Sequence, residues 1–269
     1  MMKLLIAFIL IFIQSIVFSQ KNETLTMTVK LIEKEEYLKA IPLLNSLIEK
    51  DTLNSEAYIQ RSMCLRAKGE YEKALNDLKH AISIDKNNEK AYCVLGALYA
   101  ITEKLNLSLE SFNKSIEINP NYEPSYSGRG ALYYHYLNQN DKALNDLNQA
   151  IKLNSKSYRA YSNRGNLYSL MGSNDKAIID LTMSLKLHPK DHLIYFNRAE
   201  AYVEIKNYRK AKRDYFNSMK YNNKMNLFEK LENGEIYYGI GYCFQELNKT
   251  KKAEKYFEKA KDLGYDNDK

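Results

Sequence analysis

His188 and His192, with Asp191 between them, come nearest in this chain to a reactive cluster. Two imidazoles and a carboxylate could hold a zinc ion, but the three sit in what reads as a turn after Pro189. A metal there would need a third ligand, and Asp191 is the only local candidate. The other two histidines are scattered. The sequence contains no H-E-x-x-H, no glycine-rich phosphate loop and no G-x-S-x-G. Neither a metal site nor a cofactor is expected, and the chain reads as non-enzymatic. Three cysteines, Cys64, Cys93 and Cys243, form no C-x-x-C pair, and an odd number implies no disulfide framework. They read as small buried hydrophobes. Sequons at Asn22, Asn106, Asn113 and Asn248 are what an asparagine-rich chain produces by accident.

Composition points away from catalysis as well. Among 269 residues there are 10 glycines and 4 prolines, no tryptophan and 23 tyrosines. That mixture suits helices joined by short turns, with rings packed inward and hydroxyls at a wet edge. The formal charge is +7. Basic residues alternate with acids along almost every stretch, which describes solvated faces better than a phosphate-binding stripe, so a nucleic-acid partner is not expected. Residues 1–20 carry one charge, Lys3, followed by an apolar run from Leu4 to Phe18 and then Ser19. They read as a signal peptide cleaved after Ser19, the alternative being an uncleaved anchor. The run is short of the roughly 20 residues that span a bilayer. No second such run follows, so no membrane span is expected in the mature chain, which is placed in the periplasm or outside the cell.

The elements that would position any site emerge from self-similarity. Ala40, Ala74, Ser108, Ala143, Ala177, Ala211 and Ala253 recur at intervals of 34, 34, 35, 34, 34 and 42 residues. Around each lies a helix-length segment with an aromatic near its start, a short polar turn, and a second segment with apolar residues three, four and seven apart. The repeats cover about 21–54, 55–88, 89–122, 123–157, 158–191, 192–225 and 234–267, behind a leader at 1–19 and within a domain at 20–269. The fourth repeat has one extra residue in its turn. Residues 226–233 stand as an insertion that would open the stack or bend it.

In the second repeat Tyr58, Ser62, Leu65, Tyr71, Ala74, Leu78 and Ala81 alternate large and small so that two helices can approach closely. This pattern resembles the tetratricopeptide repeat. Later copies carry it too, as in Tyr161, Gly165, Tyr168, Ala177 and Leu181, and the first copy departs from it as a terminal repeat should. The resemblance implies an all-α, right-handed superhelical solenoid of helix-turn-helix repeats. It implies a protein-interaction scaffold or adaptor whose first helices line a concave groove for a partner peptide or protein. By position, the groove is expected to include Tyr134, His135, Arg159, Asn163, Asn166, Asn197, Glu200, Tyr238 and Tyr242, unless these are merely solvated. One subclass grips a C-terminal carboxylate with a lysine at position five beside asparagines at positions six and nine, and position five is never lysine here. An accessory subunit of a cell-envelope enzyme complex stands as the alternative from another class.

A charge pair tracks itself through the repeats. Position seven is arginine in four of them, Arg61, Arg129, Arg164 and Arg198, and in the same four position twenty-three is aspartate, Asp77, Asp146, Asp180 and Asp214. Where one is missing, so is the other: Met27 with Leu43, Leu95 with Ser111, Ile240 with Tyr256. Co-variation of this kind predicts contact, here a partly buried salt bridge within each repeat. Arginines that bind an anionic ligand are the competing reading.

Overall fold

A computed structural model describes residues 22–222 and 227–265, with the backbone alone for 227–232. The expected leader at 1–19 lies outside the described residues. The chain divides into two compact units, 1–132 and 133–269. The first holds α1 (22–33), α2 (Tyr37–Lys50), α3 (Ser55–Ala67), α4 (Tyr71–Ile84), α5 (Glu89–Ile101), α6 (Leu105–Ile118) and most of α7 (Glu123–His135). The second holds the end of α7, then α8 (Asn140–Leu153), α9 (Tyr158–Leu170), α10 (Asn174–Leu187), α11 (His192–Glu204), α12 (Tyr208–Tyr221), α13 (Leu227–Glu246) and α14 (Thr250–Asp262). No strand occurs among the described residues.

Each unit is a stack of helical hairpins. In the first, α3 packs on α4 and α5 on α6, with α2 on α3 and α4 on α5 between hairpins; in the second, α9, α11 and α13 pair with α10, α12 and α14. The close approach is permitted by the small residues that set the period. Ala40, Ala74, Ser108, Ala143, Ala177 and Ala211 are fully buried, and Ala253 is 1 % exposed. The four first helices α3, α5, α9 and α11 begin on capped turns, where Asn54, Asn88, Ser157 and Asp191 accept backbone N–H groups that have no helical partner.

The turn inside each repeat reverses the chain through one left-handed residue: Glu35, Gly69, Glu103, Asn138, Gly172, Lys206 and Asn248 all have φ between 52° and 77°. The residue that follows donates back to the helix, as Glu70 N does to Leu65 O at 2.9 Å and Asn207 N to Tyr202 O at 2.8 Å. In the fourth repeat the extra residue widens this closure by one position, so that Gln139 N reaches Tyr133 O at 2.9 Å. Glycine meets the left-handed requirement twice, at Gly69 and Gly172. Glutamate or lysine held there costs about 1–2 kcal/mol. Lys206→Gly is therefore expected to stabilise the second unit by about 0.5–1 kcal/mol, net of the freedom glycine adds to the unfolded chain. A rise in urea midpoint at unchanged slope checks this.

Within 226–233, residues 227–233 are helical. They continue into α13 as one 20-residue helix, against 13 or 14 residues in α2–α12 and α14. Asn222 Nδ2 approaches Asn233 Oδ1 at 3.4 Å.

A size compensation links neighbouring repeats. At position twenty-four, Leu44, Leu78, Leu147 and Leu181 fill the hairpin, while Phe112 and Tyr215 are larger. The Phe112 ring lies where a Cβ at Gly128 would come within 2.5 Å, and the Tyr215 ring where a Cβ at Gly239 would come within 2.5 Å. Both glycines hold position six of the next repeat. After a leucine that position is Gln60, Val94, Asn163 or Asn197.

Candidate functional site

Three of the four charged pairs form clamps rather than exposed cations. Arg61 Nε and Nη2 donate to Asp77 Oδ2 and Oδ1 at 2.8 and 2.7 Å. Arg164 meets Asp180 at 2.7 and 2.9 Å, and Arg198 meets Asp214 at 2.6 and 3.0 Å. A planar guanidinium matches a carboxylate in this two-point geometry. Hydrogen bonding to the aspartates holds the Arg61 and Arg164 guanidinium groups above their ordinary range. Asp146 of the fourth pair is buried, and Arg129 donates to Asn113 Oδ1 at 2.6 Å.

That last bond belongs to a third partner the sequence reading missed. Each arginine also donates its Nη1 to position twenty-five of the preceding repeat: Asn45 at 2.9 Å, Asn113 at 2.6 Å, Asn148 at 2.7 Å and Thr182 at 3.0 Å. The signal was present. Before the repeats without the arginine, position twenty-five is Lys79 or Phe216. The clamp thus joins one repeat to the next, and the guanidinium is occupied on both edges. This arrangement leaves little donor capacity for an anionic ligand.

The residues expected to form the groove all lie in the second unit, and the structure sorts them. Asn166, on α9, and Asn197, on α11, are brought together: Asn197 Nδ2 donates to Asn166 Oδ1 at 3.0 Å. Asn163 stands half-buried one turn from Asn166. Tyr134, at the end of α7, is 4 % exposed, so it packs beneath this surface rather than presenting itself. Burial pushes its phenol up to about 12, with Asn166 beside the hydroxyl pulling the other way. His135 is exposed but its ring lies tilted against that of Tyr134, centroids 4.0 Å apart, and desolvation holds its imidazole below the usual range. The Arg159 guanidinium rests 4.9 Å from the centre of the Tyr158 ring. Tyr242 meets Tyr208 edge-on at 6.0 Å, whereas Tyr238 packs against Phe257 and Tyr265, within the last hairpin. Of the turn cluster, Asp191 caps α11 through Leu193 N and Ile194 N, and His188 stacks on Tyr158 at 4.4 Å.

Glu200 is the unusual member. Its carboxyl accepts the hydroxyl of Tyr215, whose side chain is 1 % exposed. Glu200 is exposed as a residue, but desolvation of its carboxyl where it meets Tyr215 raises it above its usual range; the Tyr215 bond opposes this, and Glu235 and Glu204 add to it. The carboxylate of a glutamate raised on folding favours the unfolded chain, so the stability Glu200 contributes is present at low pH and lost as pH rises from near 4.5 through the raised value. Glu200→Gln keeps an acceptor for Tyr215 without the charge. Its urea midpoint is expected to match the parent near pH 4 and to exceed it at pH 7; a constant offset across that range would contradict the assignment.

Family models described as "TPR repeat" match residues 65–102 and 134–172, and models described as "Tetratricopeptide repeat" match 89–122, 158–191 and 234–263. Together they span more than half of the chain. Curated protein sequences provide no match. Solved structures do: a tetratricopeptide repeat protein from Parabacteroides merdae aligns at 20 % identity and TM-score 0.57, over 93 % of this chain and 95 % of that one. PilW, a widely conserved type IV pilus biogenesis factor, aligns at 18 % identity and TM-score 0.65, over 79 % of this chain and 95 % of that one. The Cut9–Hcn1 assembly of the APC/C aligns at 17 % identity and TM-score 0.74, over 89 % of this chain and 46 % of that one. Helical hairpins stacked at a 34-residue period, the matching sequence profiles and these likenesses of fold agree, and the chain belongs to the tetratricopeptide repeat proteins.

Proposed function

We propose that this chain is a non-enzymatic scaffold of the bacterial cell envelope that holds an extended segment of a partner protein along the first helices of its second unit. The observation that carries the reading is the Asn197–Asn166 bond across two neighbouring first helices. It uses one amide's hydrogen and the other's oxygen, leaving the Asn197 carbonyl as an acceptor and, beyond the hydrogen that faces Tyr134, one Asn166 amide hydrogen as a donor, the complement of one peptide unit. Half-buried Asn163, one turn from Asn166, adds polar surface, and half-buried Tyr242 on the next first helix, α13, adds aromatic surface. The envelope assignment rests on residues 1–19 as a signal peptide.

Affinity purification from envelope extract tests both parts. The parent chain is expected to begin at Gln20 and to retain a partner that the Asn163→Ala, Asn197→Ala, Tyr242→Ala variant releases while keeping its helical signal. Tyr134 is left intact because its removal would disturb packing. Equal retention by both chains would contradict the groove, and an intact leader would contradict cleavage.

A further inference from the structure

The alternation of charges that runs through most of the chain fails at its end. In α2, α4, α6, α8 and α10 the balance of acidic and basic residues lies within one charge of zero. By contrast α12 has Arg209, Lys210, Lys212, Arg213 and Lys220 against Asp214 alone, and Asp214 is fully buried on Arg198. Five lysines stand in α14 against three acids.

Geometry gathers these charges on one face of the second unit. Ala211, Asp214, Tyr215 and Ser218 mark the inner side of α12, so at 100° per residue Arg209, Arg213 and Lys220 fall on the opposite side, where all three are exposed. Lys251 and Lys255 are exposed in the same way opposite Ala253 and Ala260 of α14, where Glu258 and Asp262 share their side, so the cationic excess lies on α12. The two helices are neighbours: Phe216 of α12 meets Tyr256 of α14 at 6.0 Å, and Lys212 and Lys252 both lie over the Phe244 ring, at 4.6 and 5.7 Å. On the other flank, Arg198 ties Asp214 of α12 to Thr182 of α10. Beside Thr182, one turn apart, Ile179 is 67 % exposed and Met183 36 %.

We propose that the outer face of α10, α12 and α14 docks on an anionic lipid surface, with Arg209, Arg213, Lys220, Lys251 and Lys255 against the headgroups and Ile179 and Met183 dipping between them. A cationic field beside a shallow apolar pair is the combination that lies in a bilayer interface. A nucleic acid fits less well. Its phosphates have no use for Ile179 and Met183, and the rings nearest the cations are stacked on one another, as Phe244 and Tyr256 are at 5.5 Å, rather than open to bases. This face is separate from the first-helix groove and does not depend on it.

Co-sedimentation of the full chain with vesicles tests the proposal, comparing an equal mixture of phosphatidylglycerol and phosphatidylcholine with phosphatidylcholine alone. Any insertion by residues 4–18 contributes to both, so the difference between them is the readout. The parent is expected to bind the anionic vesicles at least about tenfold more tightly, less so at high salt. Arg209→Glu with Arg213→Glu and Lys251→Glu should abolish the difference, at unchanged helical signal and unchanged capture of the groove partner. Ile179→Ser with Met183→Ser should weaken anionic binding while preserving its salt dependence. Equal binding of parent and charge-reversed chain to anionic vesicles would overturn the proposal. So would charge-dependent binding to a duplex oligonucleotide or to polyglutamate without binding to vesicles.

Discussion

Arg198→Ala is expected to destabilise the second unit by about 3–5 kcal/mol, the largest effect of any single side-chain truncation among the clamps. The reason is what it leaves behind. Asp214 is fully buried, and without the guanidinium its charge has neither water nor a cation, while Thr182 loses its partner on the neighbouring repeat. Arg61→Ala should cost less, because the side chains of Arg61 and Asp77 keep 22 % and 9 % exposure against 11 % and 0 % for Arg198 and Asp214. Replacing both members, Arg198→Met with Asp214→Leu, should recover most of the loss, since two apolar groups need no partner. Urea unfolding measures the totals, and amide exchange in α11 and α12 shows whether the loss is local, which matters because stacked repeats need not unfold as one.

Phe112→Ala is expected to cost the first unit about 3–5 kcal/mol. The ring is 2 % exposed and fills space that α5 and α7 vacate at Gly96 and Gly128, where added Cβ atoms would come within 3.0 and 2.5 Å of it. The pairing makes a sharper test. Gly128→Ala alone should destabilise by about 1–3 kcal/mol through overpacking, but in a Phe112→Leu background, which places there the leucine that four of the repeats carry, the same substitution should be nearly neutral. A double-mutant cycle that found the two changes additive would show that the glycine is there for another reason.

These effects show how much of the molecule is legible in one sequence. The hairpins, their period and the buried small residues follow from the spacing of Ala40 to Ala253, because a repeat that buries one face against its neighbours must keep the same residue sizes at the same places. The Arg–Asp contacts were legible for a related reason: seven copies within a chain co-vary. The links between repeats were harder to see. Asn45, Asn113, Asn148 and Thr182 vary with the arginine of the following copy, and Gly128 and Gly239 with the aromatic of the preceding one, so an alignment of copies read one repeat at a time hides both. Position along the repeat also did not separate presented side chains from packed ones. Tyr134 and Tyr238 sit at groove positions, yet one is buried under Asn166 and the other is held by Phe257 and Tyr265. The run of α13 through 227–233 could not be read from the period, because an insertion breaks the phase without saying what conformation it takes.

The central claim is that the first-helix face of the second unit holds the partner, and site-directed photo-crosslinking tests it most directly. A photoreactive phenylalanine analogue placed at Asn163, and in a second chain at Asn145, exposed on α8, would be irradiated in living cells. A discrete crosslinked species is expected from position 163 that position 145 does not give. A species from position 145 and none from 163 would contradict it and move the partner to the second helices.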